Sequence, residues 1–396
     1  MSTMKTKETE RYLKRRVQFK ALSPVHLGSG EVWKPLEVAH LDETLYVISR
    51  AKWARFLQQE GRQGDYLAFI RGRLEEDRPA HLQGFLEERG WLRRELLEEI
   101  ALYTVRCPQA AAATSPSGMR AFARNGYQQP YVPGSAVKGA LRVAILFALL
   151  ERLPEANRRS LLTRVINQGL SRLKSEGKSK VRKQFAQALD RELLQGFSLQ
   201  GKRGEPHTDI LRVLHVHDSE PLPSETIRVE EIKVYSVGAT EPKGFSIYAE
   251  CLEPGTEFSI EFTIDQETLA DFRKASQTYG LPFEVLEELV RNPFEAARRW
   301  VQALLNHERK FFEEQFGKHG VFDFGDEEEP TFRVGWGGGM LGTTIDLLLP
   351  PGRLREVRNR LFKNRGTAPA PKTRRLTVND RPLGWCTVLA PEPKSG

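Results

Sequence analysis

The stretch Tyr131–Arg142, YVPGSAVKGALR, lies between a loop rich in Asn, Gln and Gly and the apolar run VAILFALL. Pro133 and Gly134 form a turn signal, and Ser135 is a residue type that often caps the N-terminus of a helix. Apolar residues then recur every three or four positions, which predicts a helix with one buried face. That face comprises Val137, Leu141, Ala144, Ile145 and Ala148.

The first turns of this predicted helix carry two cations. Lys138 and Arg142 are four residues apart and therefore project from one side, while Gly139 permits close approach of another backbone. A helix N-terminus with free amide groups and nearby cations is a good anion site. The same residues equally describe a capped helix whose Lys and Arg face water. They are not a Walker loop, because Lys138 precedes Gly139, whereas the Walker lysine follows its second glycine.

The chain as a whole is basic. It has 396 residues and a formal net charge of +8, and 39% of its residues are hydrophobic. The length predicts roughly two to three domain-sized units. The charge favours a polyanionic partner such as nucleic acid or an anionic membrane surface, without requiring one.

Cysteine usage and apolar runs bear on the compartment. Cys107, Cys251 and Cys386 are far apart and form no CxxC motif, which is typical of free thiols in a reducing cytosol. The first residues are charged and lack an apolar signal core, so secretion is not expected. The longest apolar run, Val143–Leu150, is too short to span a bilayer. We therefore predict a soluble, cytoplasmic protein.

Periodicity predicts helices inserted between short strands. Val17–Phe19 and Leu45–Ile48 are predicted strands, and helical spacing dominates from Lys52 to about Tyr103. After Gly201 three alternating segments, IRVEEIKVYSV, GFSIYAECL and EFSIEFTID, predict a meander or hairpins. Helical spacing returns over residues 283–316, and a last strand is predicted near Trp385–Val388. This arrangement is typical of an α+β protein.

Two further loops carry residue types that suit a ligand. The first is SPVHLGSG, Ser23–Gly30, whose His26 could contact a phosphate or act as a general acid or base, although a lone histidine is more often structural. The second is GWGGG, Gly335–Gly339, whose glycines permit positive φ and bring backbone amides within reach of a ligand. A sharp turn beside a packed Trp336 explains the second loop equally well.

Metal and cofactor motifs are weak. His215 and His217 alternate on a predicted strand and would share a face, but no third ligand follows at a suitable spacing. The sequence contains no HExxH, no GxSxG and no GxGxxG placed between a strand and a helix. We predict no metal site and no cofactor.

Several of these motifs, in this order, resemble the RAMP proteins of CRISPR systems. They are SPVHLGSGE, YVPGSAVKGALR, DILRVLHVHDSEPL, GWGGGMLGTT and PKTRRLTVNDRPLGWCTV. The sequence is most similar to the type III-A (Csm) subunit at the end of the effector complex, beside the 3′ part of the guide RNA. The resemblance implies ferredoxin-like, RRM-type RAMP domains with large helical insertions. It implies these units: residues 17–50 with 108–150 as a first RAMP core, insertions at 51–107 and 151–200, a β-rich segment at 201–265, a helical segment at 266–330, and a C-terminal RAMP segment at 331–396.

The resemblance also implies a set of RNA-contacting residues. Around the first two motifs they are His26, Gly28, Ser29, Gly30, Gly134, Ser135, Lys138 and Arg142. Near the C-terminus they are Gly337, Gly338, Gly339, Lys372 and Arg374. The basic run Arg172–Lys183 would add charge, and the acidic loop Asp326–Glu329 would suit a neighbouring subunit.

Three functional hypotheses stay open from the sequence. The first is a non-catalytic subunit that holds guide RNA, has a role in its maturation and binds other Csm-type RAMP subunits. Target RNA and a host nuclease are possible further partners, and no membrane is implied. The second is an endoribonuclease that processes the guide with His26 as acid or base. The third is a basic scaffold subunit without RNA contact of its own.

Overall fold

The computed structural model describes residues 11–184, 187–199, 202–203, 206–277, 282–325, 328–362 and 366–389. The described residues form sixteen strands and twelve helices, besides short 3₁₀ turns. The strands are β1 (Tyr12–Ala21), β2 (Gly28–Trp33), β3 (Val38–Leu41), β4 (Thr44–Ile48), β5 (Ala101–Arg106), β6 (Met119–Phe122), β7 (Phe197–Leu199), β8 (Lys202–Arg203), β9 (Leu214–Val216), β10 (Ile227–Ser236), β11 (Ile247–Leu252), β12 (Glu257–Asp265), β13 (Ser276–Gln277), β14 (Phe332–Arg333), β15 (Thr373–Thr377) and β16 (Trp385–Val388). The helices are α1 (Arg50–Gln59), α2 (Gln63–Glu75), α3 (Leu82–Glu88), α4 (Arg94–Ile100), α5 (Gly134–Arg152), α6 (Glu155–Ser171), α7 (Leu173–Gln184), α8 (Gln187–Leu193), α9 (Gln266–Lys274), α10 (Phe283–Arg291), α11 (Pro293–Phe316) and α12 (Pro351–Leu361).

The first sheet has a ferredoxin-like topology. Its strand order is β14-β16-β1-β12-β9, and every pairing is antiparallel. Along the chain, β1, α5, β9, β12, α11 and β16 follow the β-α-β-β-α-β order of that fold. All other elements are inserted between these six. The predicted α+β class with ferredoxin-like cores and helical insertions is therefore confirmed.

Helices α5 and α11 cover one face of this sheet. The apolar face predicted for α5 is buried at all five positions. Phe19 of β1 stacks on Phe258 of β12 at 5.1 Å and meets Phe294 of α11 at 5.7 Å, measured between ring centroids. The main core thus joins the central strands to both helices, and it fixes which way the N-terminus of α5 points.

The second sheet combines strands from distant parts of the chain. Its order is β2-β6-β11-β10-β5-β4-β3, and β15 pairs with β10 beside this path. The predicted hairpin of β10 and β11 is present, but β12 leaves it and pairs with β1 instead. The predicted meander is therefore wrong, because the apolar face of β12 is buried under α11 in the other sheet. A small third sheet has the order β13-β7-β8.

Helices α1–α4 have a hydrophobic core of their own. Trp53, Phe85 and Leu97 are buried there, against residues of β3 and β4. The helical prediction to about Tyr103 extends too far, since α4 ends at Ile100 and Tyr103 lies in β5. β-Sheet pairing with β4 overrides the helical spacing at that point. None of the described helices is long and apolar enough to cross a membrane.

Candidate nucleic-acid interface

The glycine-rich loop and the His26 loop meet where the two sheets join. The Trp336 amide donates a hydrogen bond to the His26 carbonyl oxygen at 2.9 Å. A Cβ on Gly335 would lie 2.4 Å from that same oxygen, so only glycine allows this approach. We call this region, formed by residues 23–30 and 335–339 with the strands beneath them, the seam.

A buried guanidinium group explains part of the glycine content. The Arg333 side chain lies inside the loop and donates hydrogen bonds to the carbonyl oxygens of Gly342, at 3.3 Å, and Leu383, at 3.1 Å. Burial lowers the pKa of Arg333 to about 10, so the group is still charged at neutral pH. A Cβ on Gly338 would lie 2.0 Å from its Nη1 atom, and one on Gly337 would lie 2.5 Å from Leu383. These two glycines are therefore required by internal packing.

Two arginines flank the half-buried indole ring of Trp336. The guanidinium carbon lies 4.8 Å from the ring centroid for Arg120, on β6, and 5.0 Å for Arg375, on β15. Neither arginine has an ion pair with any acidic group in the described part of the chain. Burial, and then the charge of Arg120, lowers the pKa of Arg375. The seam therefore concentrates positive charge that no carboxylate of the described residues neutralises.

The buried side chain of His26 packs against the seam. Its Nδ1 lies 2.7 Å from the Glu250 carbonyl oxygen. Its ring meets the Trp336 ring edge-on, with 5.8 Å between the ring centroids. Burial lowers the pKa of His26, as does the charge of Arg120, although the hydrogen bond to Glu250 opposes them. The imidazole is thus neutral at pH 7 and donates from Nδ1 to that carbonyl. This geometry suits a structural histidine and gives no support to His26 as an acid or base acting on a bound RNA.

The residues after His26 are more accessible. Gly28, Ser29 and Gly30 are all exposed at the start of β2. Gly30 has a φ of 92°, and a Cβ there would meet no atom within 4 Å. The Ser29 hydroxyl accepts a hydrogen bond from the Glu31 amide at 3.2 Å. These three residues present backbone and hydroxyl groups on the surface, and their strand β2 pairs with β6, the strand that carries Arg120.

The N-terminus of α5 differs from the sequence prediction. The helix begins at Gly134, and Ser135 is exposed in its first turn instead of capping it. The carboxylate of Asp218 accepts the Gly134 amide hydrogen bond at 2.7 Å and so takes the capping role. A Cβ at Gly134 would lie 2.3 Å from the Val216 carbonyl oxygen, which explains the glycine. At Gly139 a Cβ would meet no atom within 4 Å, so the predicted close backbone approach is wrong there.

Lys138 and Arg142 do share one side of α5, as predicted, and line a cleft of about 520 Å³. Arg142 is paired there with Asp209 at 2.7 Å and with Asp190 at 3.5 Å. Lys138 has no ion pair among the described residues; burial lowers its pKa, Asp209 raises it and Arg142 lowers it. Two carboxylates thus offset much of the positive charge that the sequence places at this helix.

The C-terminal candidates differ in how deeply they are buried. Arg374 is buried, and its Nε donates to the Glu308 carboxylate of α11 at 2.6 Å. Lys372 is half-buried, and its carbonyl oxygen accepts the Val237 amide at 3.0 Å. Gly339 has a φ of 63° and open space around it. Of this group, Lys372 and Gly339 keep surface that a ligand can reach.

The predicted charge runs lie partly outside the described residues. In the basic run Arg172–Lys183, the side chains of Lys174, Lys178, Ser179, Arg182 and Lys183 are not described. In the acidic loop Asp326–Glu329, the first two residues lie outside the described ranges, and Glu328 forms an ion pair with Lys20. No three His, Cys, Asp or Glu side chains come together as metal ligands within the described ranges.

Sequence reasoning missed Arg120 and Arg375. Arg120 lies in no motif, and nothing in the sequence near it indicates a half-buried cation beside an aromatic ring. Arg375 follows Arg374, and alternation along β15 places the two on opposite faces of the strand. The pair Arg-Arg in a predicted strand therefore signals one inward and one outward cation, but the sequence does not say which is which.

The comparisons with known proteins agree with this topology. A family model described as the RAMP superfamily matches residues 18–339. This chain belongs to the RAMP superfamily. The RAMP resemblance seen in the sequence is thus confirmed.

Curated relatives of this chain carry the name "CRISPR system Cms protein Csm5". The one from Streptococcus thermophilus is 22% identical over 246 residues, which are 61% of this chain and 61% of the relative. The one from Mycobacterium tuberculosis is 26% identical over 159 residues, or 38% of this chain and 37% of the relative. The matched region therefore spans about three-fifths of the length of the first relative and less of the second.

Two solved structures share the fold over nearly the whole chain. One is a chain of a Csm–crRNA–target RNA ternary complex from a type III-A CRISPR-Cas system, with a TM-score of 0.67 and 24% identity. The other is Csm5 of T. onnurineus, with a TM-score of 0.64 and 23% identity. Each alignment covers 94% of this chain and 100% of the other chain.

Proposed function

We propose that this RAMP protein is a guide-RNA-binding subunit of a type III-A (Csm) effector complex. It would cap the backbone of the complex beside other Csm-type RAMP subunits, contact the 3′ part of the guide RNA without cutting it, and so have a role in guide maturation. The Csm5 names of its relatives and the fold shared with a chain of a Csm–crRNA–target RNA complex support this proposal. Target RNA and a host nuclease remain proposed further partners.

The proposal rests mainly on the arrangement of charges at the seam. Arg120 and Arg375 flank Trp336, neither has an acidic partner among the described residues, and both are half-buried. Partial burial strengthens the attraction of a guanidinium for phosphate, and its planar fork binds phosphate in a bidentate manner. Such contacts position a nucleic-acid backbone without reading its sequence, as a subunit that must accept any guide requires.

Neighbouring groups extend the proposed surface. Ser29 and Gly30 offer exposed hydroxyl and backbone groups, Gly339 is half-buried with open space beside it, and Lys372 precedes β15, the strand of Arg375. Lys138 and Arg142 would contribute more weakly, because Asp190 and Asp209 compensate the charge in their cleft. The RNA path we propose therefore centres on the seam, with the α5 cleft as a secondary contact.

The test is a double charge reversal, Arg120→Glu with Arg375→Glu, in the purified full-length chain. Fluorescence anisotropy with unstructured single-stranded RNA across a salt series gives the slope of log affinity against log salt. Each phosphate contact on a single strand contributes about 0.7 to that slope. Loss of two contacts should lower the slope by about 1.4, with weaker binding at every salt concentration.

A matched control is Arg298→Glu with Arg299→Glu on α11, where two exposed neighbouring arginines lie away from the seam. The proposal is wrong if this control weakens RNA binding as much as the seam variant does, or if the seam variant binds as the unmodified chain does. In the assembled complex, the seam variant should also alter guide-RNA content or 3′ length. Metal-independent RNA cleavage that disappears in His26→Ala would instead support the endoribonuclease.

A further inference from the structure

The net charge of the chain is concentrated on three helices outside the ferredoxin-like core. α6, α7 and α12 carry three, five and four Lys or Arg residues, against one Glu each. Their surplus of nine positive charges exceeds the +8 of the entire chain. The remainder of the chain is therefore close to neutral, and a polyanion would be drawn to these helices.

Contacts between the helices hold this charge in place. The Arg353 guanidinium of α12 donates to the Asn167 side-chain oxygen of α6 at 3.1 Å. Arg358, buried on α12, donates to the carbonyl oxygens of Ala368 at 2.7 Å and Pro369 at 2.6 Å. These hydrogen bonds fix α12 to α6 and to residues 368–369, which follow α12 in the sequence. The positive charge of α6 and α12 is thus presented on a fixed surface, which lowers the entropic cost of binding.

A groove of about 350 Å³ runs between α6 and the segment leading into α12. Leu162 and Leu349 form part of its apolar walls, while Arg158, Arg159 and Arg353 lie at its rim. Arg158 has no ion pair among the described residues, the pair of Arg159 with Glu155 is exposed and therefore weak, and Arg353 is paired with Glu356 on its own helix. The rim thus has guanidinium groups available for an external anion.

We infer that this groove binds single-stranded RNA beyond the segment held at the seam. A nucleotide supplies both a phosphate for the arginine rim and a flat base for the apolar walls. An acidic protein surface would satisfy only the rim and leave the walls in water. Arginine also stacks on bases, and every positive residue on α6 and α12 is an arginine. This inference rests on the proposed function and adds a second contact region to it.

The experiment compares two RNA lengths with the variant Arg158→Glu, Arg159→Glu. The shorter RNA has about 8 nucleotides, within the range that one single-strand-binding fold covers, and the longer has about 40. We expect the salt slope for the longer RNA to fall by about 1.4 if both arginines contact phosphate. Binding of the shorter RNA should be unchanged, because it is held at the seam and the α5 cleft, outside the groove.

The control is again Arg298→Glu with Arg299→Glu. Arg299 pairs with Glu295 at 4.0 Å, and Arg159 pairs with Glu155; in both pairs the glutamate lies four residues earlier on the same helix. The two variants therefore change the same number of charges in similar helical settings. The inference is overturned if the salt slope for the longer RNA does not change, or if it falls equally in the control variant. It is also overturned if the Arg158→Glu, Arg159→Glu variant loses as much affinity for the shorter RNA as for the longer one. Loss of a neighbouring protein subunit with RNA binding intact also overturns it. If the unmodified chain binds neither RNA, the proposed function itself fails.

Discussion

Gly338 lies in a loop whose glycines suggest a ligand site, but internal packing is the reason that a glycine is needed there. The sequence places it in GWGGG, where free backbone amides suggest an anion site. In the structure it faces the Arg333 guanidinium, which is fixed by carbonyl oxygens on both sides of it. The glycine is needed so that a buried cation fits beneath the loop. The ligand-facing charge at the seam comes from Arg120 and Arg375, which no glycine pattern indicates.

We predict that Gly338→Ala lowers the free energy of unfolding by about 1–3 kcal/mol, the usual cost of adding a group to a filled space. Urea denaturation of the purified chain measures it. Gly139→Ala is the control, because its Cβ would meet no atom within 4 Å on a helix. Replacing glycine there should raise stability by about 0.5–1 kcal/mol. Equal effects of the two changes would contradict the packing role of Gly338.

At the level of elements, helix α11 and strand β15 are joined by a buried ion pair. Arg374 Nε lies 2.6 Å from Glu308, and its guanidinium carbon lies 3.9 Å from the ring centroid of Phe311. Both charged side chains are almost fully shielded from water. Arg374 and Leu376 both face the interior, and alternation along β15 turns the neighbouring Arg375 toward Trp336 at the seam.

We predict that Glu308→Leu destabilises the chain by about 3–5 kcal/mol, because it leaves the Arg374 charge buried without a partner. Adding Arg374→Met should recover most of that loss, since an apolar pair of similar size replaces the buried charges. Urea denaturation of both variants measures the recovery. RNA binding by the double variant should match that of the unmodified chain. A loss of RNA affinity in that variant would show that Arg374 contacts RNA, against its buried position.

At the level of the whole molecule, the described residues include a core under α1–α4 that is separate from the main core. Phe85 is buried at its centre, among aromatic rings that include Trp53, Tyr66 and Trp91. The main core packs both sheets against α5 and α11, and the opposite faces of β3 and β4 contribute Val38 and Leu45 to it. Separate cores allow one region to open while the other stays folded.

We predict that Phe85→Ala costs about 3–5 kcal/mol of stability within the helical insertion. Hydrogen exchange should then speed up in α1–α4, while α5 and α11 keep their protection. Phe147→Ala, at a fully buried position of α5, should instead speed exchange across the first sheet. If both variants open the whole chain alike, the two cores form one cooperative unit.

Much of the local structure could be predicted from the sequence. Strand β4, helix α5 with its apolar face, and the terminal strand β16 lie where alternation or helical spacing placed them. The sequence predictions were wrong where a residue or strand far along the chain determined a helix cap or a strand pairing. Ser135 does not cap α5, because Asp218 reaches the Gly134 amide from after β9. β12 leaves its predicted neighbours, because β1 offers a longer antiparallel pairing.

The sequence by itself determined the α+β class, the RAMP family and the basic character of the chain, because periodicity, motif order and net charge are properties of nearby residues or of simple composition. Tertiary structure alone decided which cations are free. Arg142 and Arg374 are paired with distant carboxylates, whereas Arg120 and Arg375 meet around Trp336 without any among the described residues. Such pairing depends on contacts between segments far apart in the chain, which only the folded sheets bring together.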